Sequence, residues 1–246
     1  MCGGLSQGEQ WTQLLDGNGG AGKRKGHAWT WHRHLAAFVV LGGERDNPTQ
    51  FQYVDCPDPR CWAESLQMWK LEGHGTSWRP SNYPSSPSGL PSFADVPPLH
   101  AQHLTVVEIE VDNFAGNVPA DGEMLVYGGF PFSQWLYGLT WTGWWRRLRP
   151  MWDVERRYGH SAVFAKELEA MVVFGGMGES GRILNDLWVY RPRGNSVLVL
   201  NPDLPDGPPP AMVYHKAVWT GREMIVTAPN ITTTWVWSDM GDSLSN

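Results

Sequence analysis

A few histidines, two cysteines and a serine are the residues of this 246-residue chain whose types and spacing admit chemistry. His27, His160 and His215 each open a strand-like run, the first two in the pairs Gly26-His27 and Gly159-His160. Converging imidazoles would hold a metal or move protons. Imidazoles that recur at one place in a repeat are instead expected to hydrogen-bond and pack, and recurrence favours that role here. Cys56 and Cys61 enclose Pro-Asp-Pro-Arg. Such a pair can stay as free thiols, close a small disulfide loop in an oxidising compartment, or hold zinc if His32, His34 or His74 adds ligands. Ser161 follows His160, but neighbours in a strand face opposite sides, and no Gly-x-Ser-x-Gly turn is present. The glycine-rich run from Gly17 to Lys23 lacks the strand before it and the helix after it that a phosphate loop needs, so it reads as a linker. Asp153, Glu155, Glu167 and Glu169 fall in turn regions, where solvated charge is the expectation. No catalytic residue and no cofactor is assigned.

Composition narrows the partners. A formal charge of -6 argues against nucleic acid, whose phosphates need a positive surface. Lys23-Arg24-Lys25 and the run Arg146 to Arg149 are short enough to be ordinary loop charges. No stretch approaches the ~20 apolar residues that cross a bilayer, and no charged-then-apolar leader is visible at the N-terminus, although processing can remove one. The chain is expected to be soluble, with the cytoplasm or an organelle favoured over secretion. Asn230-Ile-Thr is a glycosylation sequon that matters only in the secretory route. Fifteen tryptophans imply many large rings to bury.

The elements that would position these residues are strands. The clearest stretch runs from Arg156 to Tyr190. It holds a run from Tyr158 to Phe164, an unbroken apolar run from Ala170 to Phe174 closed by Gly175-Gly176, and an alternating aromatic run from Asp186 to Tyr190 with Trp188 at its centre. A diglycine there implies a turn with positive φ or a close approach of a neighbouring backbone. A fourth strand follows at Val197 to Leu200.

This unit repeats. Gly26-His27 opens an aromatic run to Trp31; Leu35 to Leu41 ends in Gly42-Gly43; strands at Leu66 to Leu71 and Thr76 to Arg79 complete the set. A second unit has Ala101 to Glu110, Met124 to Tyr127 with Gly128-Gly129, Leu136 to Trp141, and a strand around Trp144-Trp145. The last begins at Ala211 to His215, continues through Glu223 to Thr227, where Ala228-Pro229 replaces the diglycine, and ends on Thr233 to Trp237. Four such units, about 50 to 75 residues apart, predict an all-β chain of small antiparallel sheets in radial array.

The order Gly-His, apolar strand, Gly-Gly and Asp-Leu-Trp-x-Tyr (Asp186 to Tyr190) resembles the kelch repeat of β-propellers, from about residue 9 to near the C-terminus. The resemblance implies one domain of about four blades, at about 26–79, 97–149, 156–201 and 211–237 plus 9–15. The last blade would be closed by the N-terminal strand Gln10 to Leu14, removing two aggregation-prone edges. The alternative is part of a larger ring, since kelch rings usually have five to seven blades. The enzymes that the resemblance brings in need a tyrosine-cysteine pair with further Tyr and His ligands, for which only Cys56 and Cys61 in one loop are available, or a Glu-x3-Asp-x3-His run, which this chain does not have.

In such blades the connections between second and third strands and between blades share one face. The two long insertions of the first unit, Glu44 to Ala63 and Pro80 to Pro98, are of these types. They carry Phe51, Tyr53, Arg60, Trp62, Tyr83, Leu90 and Phe93, the aromatic, aliphatic and arginine anchors that dominate interfaces. The expectation is a non-catalytic interaction or assembly subunit that binds a protein partner within a larger complex. The alternative is a sugar-binding or sugar-modifying propeller that uses its central funnel. Gly26, His27, Gly42, Gly43, Gly128, Gly129, Gly159, His160, Gly175, Gly176, Trp188 and Tyr190 read as scaffold.

Overall fold

The computed structural model describes residues 24–33, 36–45, 69–72, 77–80, 102–109, 123–140, 145–200, 209–228 and 232–238. They are all-β, with one 3-10 turn at Lys166–Leu168, four larger antiparallel sheets in sequence order and one two-stranded antiparallel pair. The first sheet is β2 (Ala28–His32), β3 (Ala37–Leu41), β5 (Trp69–Glu72) and β6 (Ser77–Pro80), with β1 (Arg24–Lys25) paired to β4 (Glu44–Arg45) beside it. The second is β7 (Gln102–Glu108), β8 (Glu123–Phe130), β9 (Trp135–Thr140) and β10 (Trp145–Pro150). In the third, β11 (Arg157–Tyr158) and β12 (Ser161–Ala165) both pair with β13 (Ala170–Gly178), followed by β14 (Ile183–Arg191) and β15 (Ser196–Leu200). The fourth is β16 (Lys216–Trp219), β17 (Glu223–Thr227) and β18 (Trp235–Ser238). Strands adjacent in sequence are adjacent in space, the meander that short connections between antiparallel strands produce.

Three apolar layers lie between successive sheets. Ala28, Val39 and Leu41 of the first sheet pack on Val106, Met124, Leu139 and Trp145 of the second. The other face of the second sheet, with Val107, Leu125, Tyr127 and Leu136, meets Met171, Val173, Trp188 and Tyr190 of the third. The third in turn offers Val163, Val172, Phe174 and Val189 to Met224, Val226, Trp219, Trp235 and Trp237 of the fourth. β13 is covered on both sides, which explains why its sequence is apolar without alternation. Each fully buried large side chain contributes roughly 1.5–3 kcal/mol of transfer free energy.

Three local features differ from the sequence-based expectation. The run from Tyr158 to Phe164 is not one strand, because Gly159 takes a φ of +63° and His160 turns inward between β11 and β12. The diglycines end a strand only at Gly42-Gly43. β8 runs on to Phe130 and β13 to Gly178, with a bulge between Phe174 and Gly176. Ala211 to His215 is not a strand, since its backbone bonds sideways to the third sheet instead. The Met212 N–H donates to the Leu184 carbonyl, the Met212 carbonyl accepts from Gly176, and Tyr214 donates to Gly159. The first strand of the fourth sheet is the next segment, Lys216–Trp219.

A line of left-handed residues joins the sheets near the N-terminal ends of β2, β7, β12 and β16. Gly26, His103, Gly159 and Tyr214 have φ of 66°, 56°, 63° and 60°. The N–H of each donates to the carbonyl of the one before: His103 to Gly26 at 2.7 Å, Gly159 to His103 at 3.0 Å, Tyr214 to Gly159 at 2.7 Å. His103 and Tyr214 carry side chains in a conformation that favours glycine, and the backbone bonds hold them there.

Candidate functional site

The strand registers put Ala28, Thr105, Ser161 and Lys216 at one position of their sheets. The residues just before them are His27, Leu104, His160 and His215. His160 shares a 2.8 Å hydrogen bond between Nε2 and Thr105 Oγ1 of the preceding sheet. His215 makes the same bond, at 2.8 Å, to Ser161 Oγ. Both imidazoles are buried, and each lies against the first glycine of the preceding diglycine. A Cβ on Gly128 would stand 2.5 Å from His160 Cε1, and one on Gly175 would stand 3.0 Å from His215 Cε1. The co-occurrence of Gly-Gly and Gly-His therefore has one cause, which is that the glycine makes room for the next sheet's imidazole. His27 is exposed, and Leu104 replaces the histidine in the second sheet.

Ser161 and His215 form a hydroxyl–imidazole pair that sequence spacing does not reveal, because it spans two sheets. It is a poor nucleophile and base. Burial pulls the His215 imidazole down to about 4, with Lys216 adding to this and backbone carbonyls opposing it. Burial, then Arg157 and His215, hold His160 well below its ordinary value. Both pairs are bonds between sheets. Among the described residues no group of three His, Cys, Asp or Glu side chains is placed to hold a metal ion.

Arg157 anchors the same junction. It is fully buried, donates to Asp186 Oδ1 and Oδ2 at 2.6 and 2.7 Å, and donates two further N–H groups to the carbonyls of Glu155 and Gly175 at 3.0 Å each. Trp188, fully buried, lies 6.0 Å from the guanidinium carbon, and Tyr127 packs edge-on against Trp188. Burial pushes the Tyr127 phenol up to about 12, with the Arg157 charge pulling the other way. Tyr190 is buried in the same layer.

Rings gather where the left-handed line reaches the surface. His103 lies 4.7 Å from Tyr214 and 6.2 Å from Tyr158, centroid to centroid. Tyr158 touches Phe130 at 5.8 Å and Phe132 at 5.7 Å. Phe130 and Tyr214 are 52% and 49% exposed, so the cluster, here termed the cup, is open to solvent. Burial lowers the His103 imidazole, with Lys216 adding to this. Burial also raises the Tyr214 phenol, and the Tyr158 hydroxyl beside it raises it further. The cup offers stacking surfaces tipped with two phenols and a neutral imidazole.

The loop anchors expected from sequence, Phe51, Tyr53, Arg60, Trp62, Tyr83, Leu90 and Phe93, lie outside the described residues, as do Cys56, Cys61 and the strand Gln10 to Leu14. Gly42, Gly43, Gly129 and Gly176 all carry positive φ. Sequence reasoning singles out none of the five cup residues, since they are spread from 103 to 214. The available signal is an aromatic next to a recurring histidine, as in Tyr158-Gly159-His160 and Tyr214-His215. No protein-family model matches the chain, and no curated protein sequence matches it. Among the described residues no helix is long and apolar enough to cross a membrane.

Proposed function

We propose that the chain is a kelch-type β-propeller subunit that binds a protein partner and carries no catalytic centre. The observation behind this reading is the solvent-open cup of His103, Phe130, Phe132, Tyr158 and Tyr214. Tyrosine and phenylalanine rings supply large contact area at small entropic cost, which is why they anchor interfaces. His103 and Tyr214 stand at strand starts tied by backbone bonds, while Phe130 and Tyr158 end β8 and β11, so little ordering of these four remains to be done on binding. The chain leaves β4 at Arg45 and re-enters at Trp69 on this same side, because β3 and β5 are antiparallel. In this reading the loops bearing Phe51, Tyr53, Arg60, Trp62, Tyr83, Leu90 and Phe93 widen the cup into an interface. The four sheets are the blades, and Gln10 to Leu14 adds the outer strand to the free edge of β18. The partner belongs to a multi-subunit assembly in the cytoplasm or an organelle, and the net charge of -6 keeps nucleic acid out of the reading.

A second reading rests on the phenols. Tyr158 and Tyr214 at the mouth of a funnel are suited to stack on and hydrogen-bond a sugar ring. One experiment separates the two. The tagged chain is purified with its native assembly and the components are identified by mass spectrometry. Phe130→Ala/Tyr214→Ala and a deletion of residues 81–96 are then compared with it. Loss of one defined partner with an unchanged circular dichroism spectrum supports the proposal. Retention of every partner by both variants overturns it, and binding to a glycan array that Tyr158→Ala abolishes favours the sugar reading.

A further inference from the structure

The array of sheets leaves one apolar face exposed at each end, and the two faces are of opposite kinds. On the first sheet Trp29, Trp31 and Phe38 are 62%, 48% and 41% exposed, their rings stacked edge-on with Phe38 at 5.9 and 5.1 Å from the two indoles. On the fourth sheet Val218, Ile225 and Val236 form an apolar stripe, Val218 and Val236 being 55% and 54% exposed, bordered on the same face by Lys216, Glu223, Thr227 and Ser238.

The three internal junctions show what such faces are for. In each, the face turned to the preceding sheet is heavy in rings: Tyr137 and Trp145, then Trp188 and Tyr190, then Trp219, Trp235 and Trp237. The face it meets is richer in branched aliphatics, with one ring in each of the last two: Val39 and Leu41, then Val107, Leu125 and Leu136 beside Tyr127, then Val163, Val172 and Val189 beside Phe174. Trp29, Trp31 and Phe38 form a fourth face of the first type, and Val218, Ile225 and Val236 a fourth face of the second. Neither is covered by the other in the single chain. His27 is exposed while His160 and His215 are buried, and the line of backbone bonds from Tyr214 ends at Gly26.

We propose that these faces meet between two copies of this chain, arranged head to tail so that the pair closes one ring of eight sheets. Each copy owns one face of each kind, so a second copy covers both at once and leaves no apolar end, as closed cyclic symmetry requires. The contact is weaker than two of the internal junctions. Lys216 stands where Thr105 and Ser161 bond an imidazole, and Ala228 stands where Gly128 and Gly175 make room for one. The first internal junction already packs without the imidazole bond, since Ala28 and Leu104 hold those positions. The inference takes the sheets as blades but uses no residue of the aromatic cup, so it stands or falls apart from the partner-binding reading.

The test is a charge swap on the innermost strands, with Trp29→Glu in one variant and Val218→Lys in another, read by sedimentation velocity and native mass spectrometry. The wild type is expected at twice 27.6 kDa at tens of micromolar. Each variant alone carries a buried charge in both contacts and is expected to be monomeric, its association weakened more than tenfold, with an unchanged circular dichroism spectrum. An equimolar mixture is expected to recover the dimer, because one contact then pairs Glu with Lys and the other is wild type. Should Trp29→Glu fail to fold, Phe38→Glu carries the same arm. A monomeric wild type, meaning self-closure or completion by a different protein, overturns the proposal. So do variants that still dimerise, a mixture that stays monomeric, or open-ended polymers.

Discussion

Arg157 and Asp186 meet through two hydrogen bonds of 2.6 and 2.7 Å that tie the short strand β11 to β14 across the whole width of β13. The guanidinium is fully buried while the carboxylate keeps 28% of its side-chain surface, so the two partners stand in different dielectric surroundings. Removing the carboxylate strands a charge in the interior. Asp186→Asn is expected to lower stability by about 3–5 kcal/mol. Arg157→Met/Asp186→Leu should cost less than the sum of Arg157→Met and Asp186→Leu, compared with the wild type. Urea denaturation of the four proteins measures this, and additive losses would show that the pair acts as two independent side chains.

Glycine at the junctions is a matter of space as well as of φ. Gly128→Ala would place its methyl 2.6 Å from the Arg157 carbonyl and 2.5 Å from His160, at a φ of +70°. Gly181 has a φ of +80° with nothing within 4 Å of an added Cβ. Gly181→Ala should therefore cost only the left-handed strain, about 1–2 kcal/mol. Gly128→Ala should cost clearly more, because backbone of the third sheet must move. Equal shifts of the urea midpoint would remove the steric argument.

Stability should fall on acidification through the range where only the unfolded chain takes up protons. Burial lowers the His215 imidazole from 6.5 to about 4, and His160 is lowered in the same direction. Above pH 6.5 this stabilisation is complete. Between 6.5 and 4 the unfolded state binds the extra proton, so each pH unit removes up to about 1.4 kcal/mol through His215. Below about 4 that residue contributes no further loss. His215→Gln should flatten this part of the profile, and an unchanged slope would assign the acid sensitivity to other groups.

Ser161 is expected to be inert. It is buried, and its imidazole partner is held neutral with little basicity. A fluorophosphonate probe should leave it unlabelled in the folded protein. Ser161→Ala should cost about 1–3 kcal/mol by leaving His215 Nε2 without its hydroxyl. Labelling at Ser161 in the native state would reopen a catalytic role.

Much of the fold is legible in the sequence because most strands are marked by apolar runs, rings and glycine pairs. β13 announces itself by being apolar throughout, and β10 by the tryptophans at its start. β16 is not legible, since Lys-Ala-Val-Trp is short and the preceding Ala211 to His215 looks more strand-like. Only the sideways bonds of Met212 and Tyr214 to the third sheet show otherwise. His103 escapes notice for a related reason. It occupies the place of Gly26 and Gly159 without being glycine, and Leu104 after it hides the Gly-His pattern. The cup is assembled from four segments, and no one-dimensional spacing records contacts made between separate sheets. The anchors in the loops around 51–62 and 83–93 rest on composition, and they lie outside the described residues.

The glycine–imidazole match gives the chain a grammar for growth. Gly175 already accommodates an imidazole from its successor, and Ser161 already bonds one. A tandem duplicate of the third repeat would thus present its own His160 to a seat that is prepared for it. A duplicate placed after the fourth repeat would meet Ala228 and Lys216 instead. Lengthening by gene duplication is expected to be tolerated after the third repeat, with a single cooperative unfolding transition as its signature, and to be resisted after the fourth.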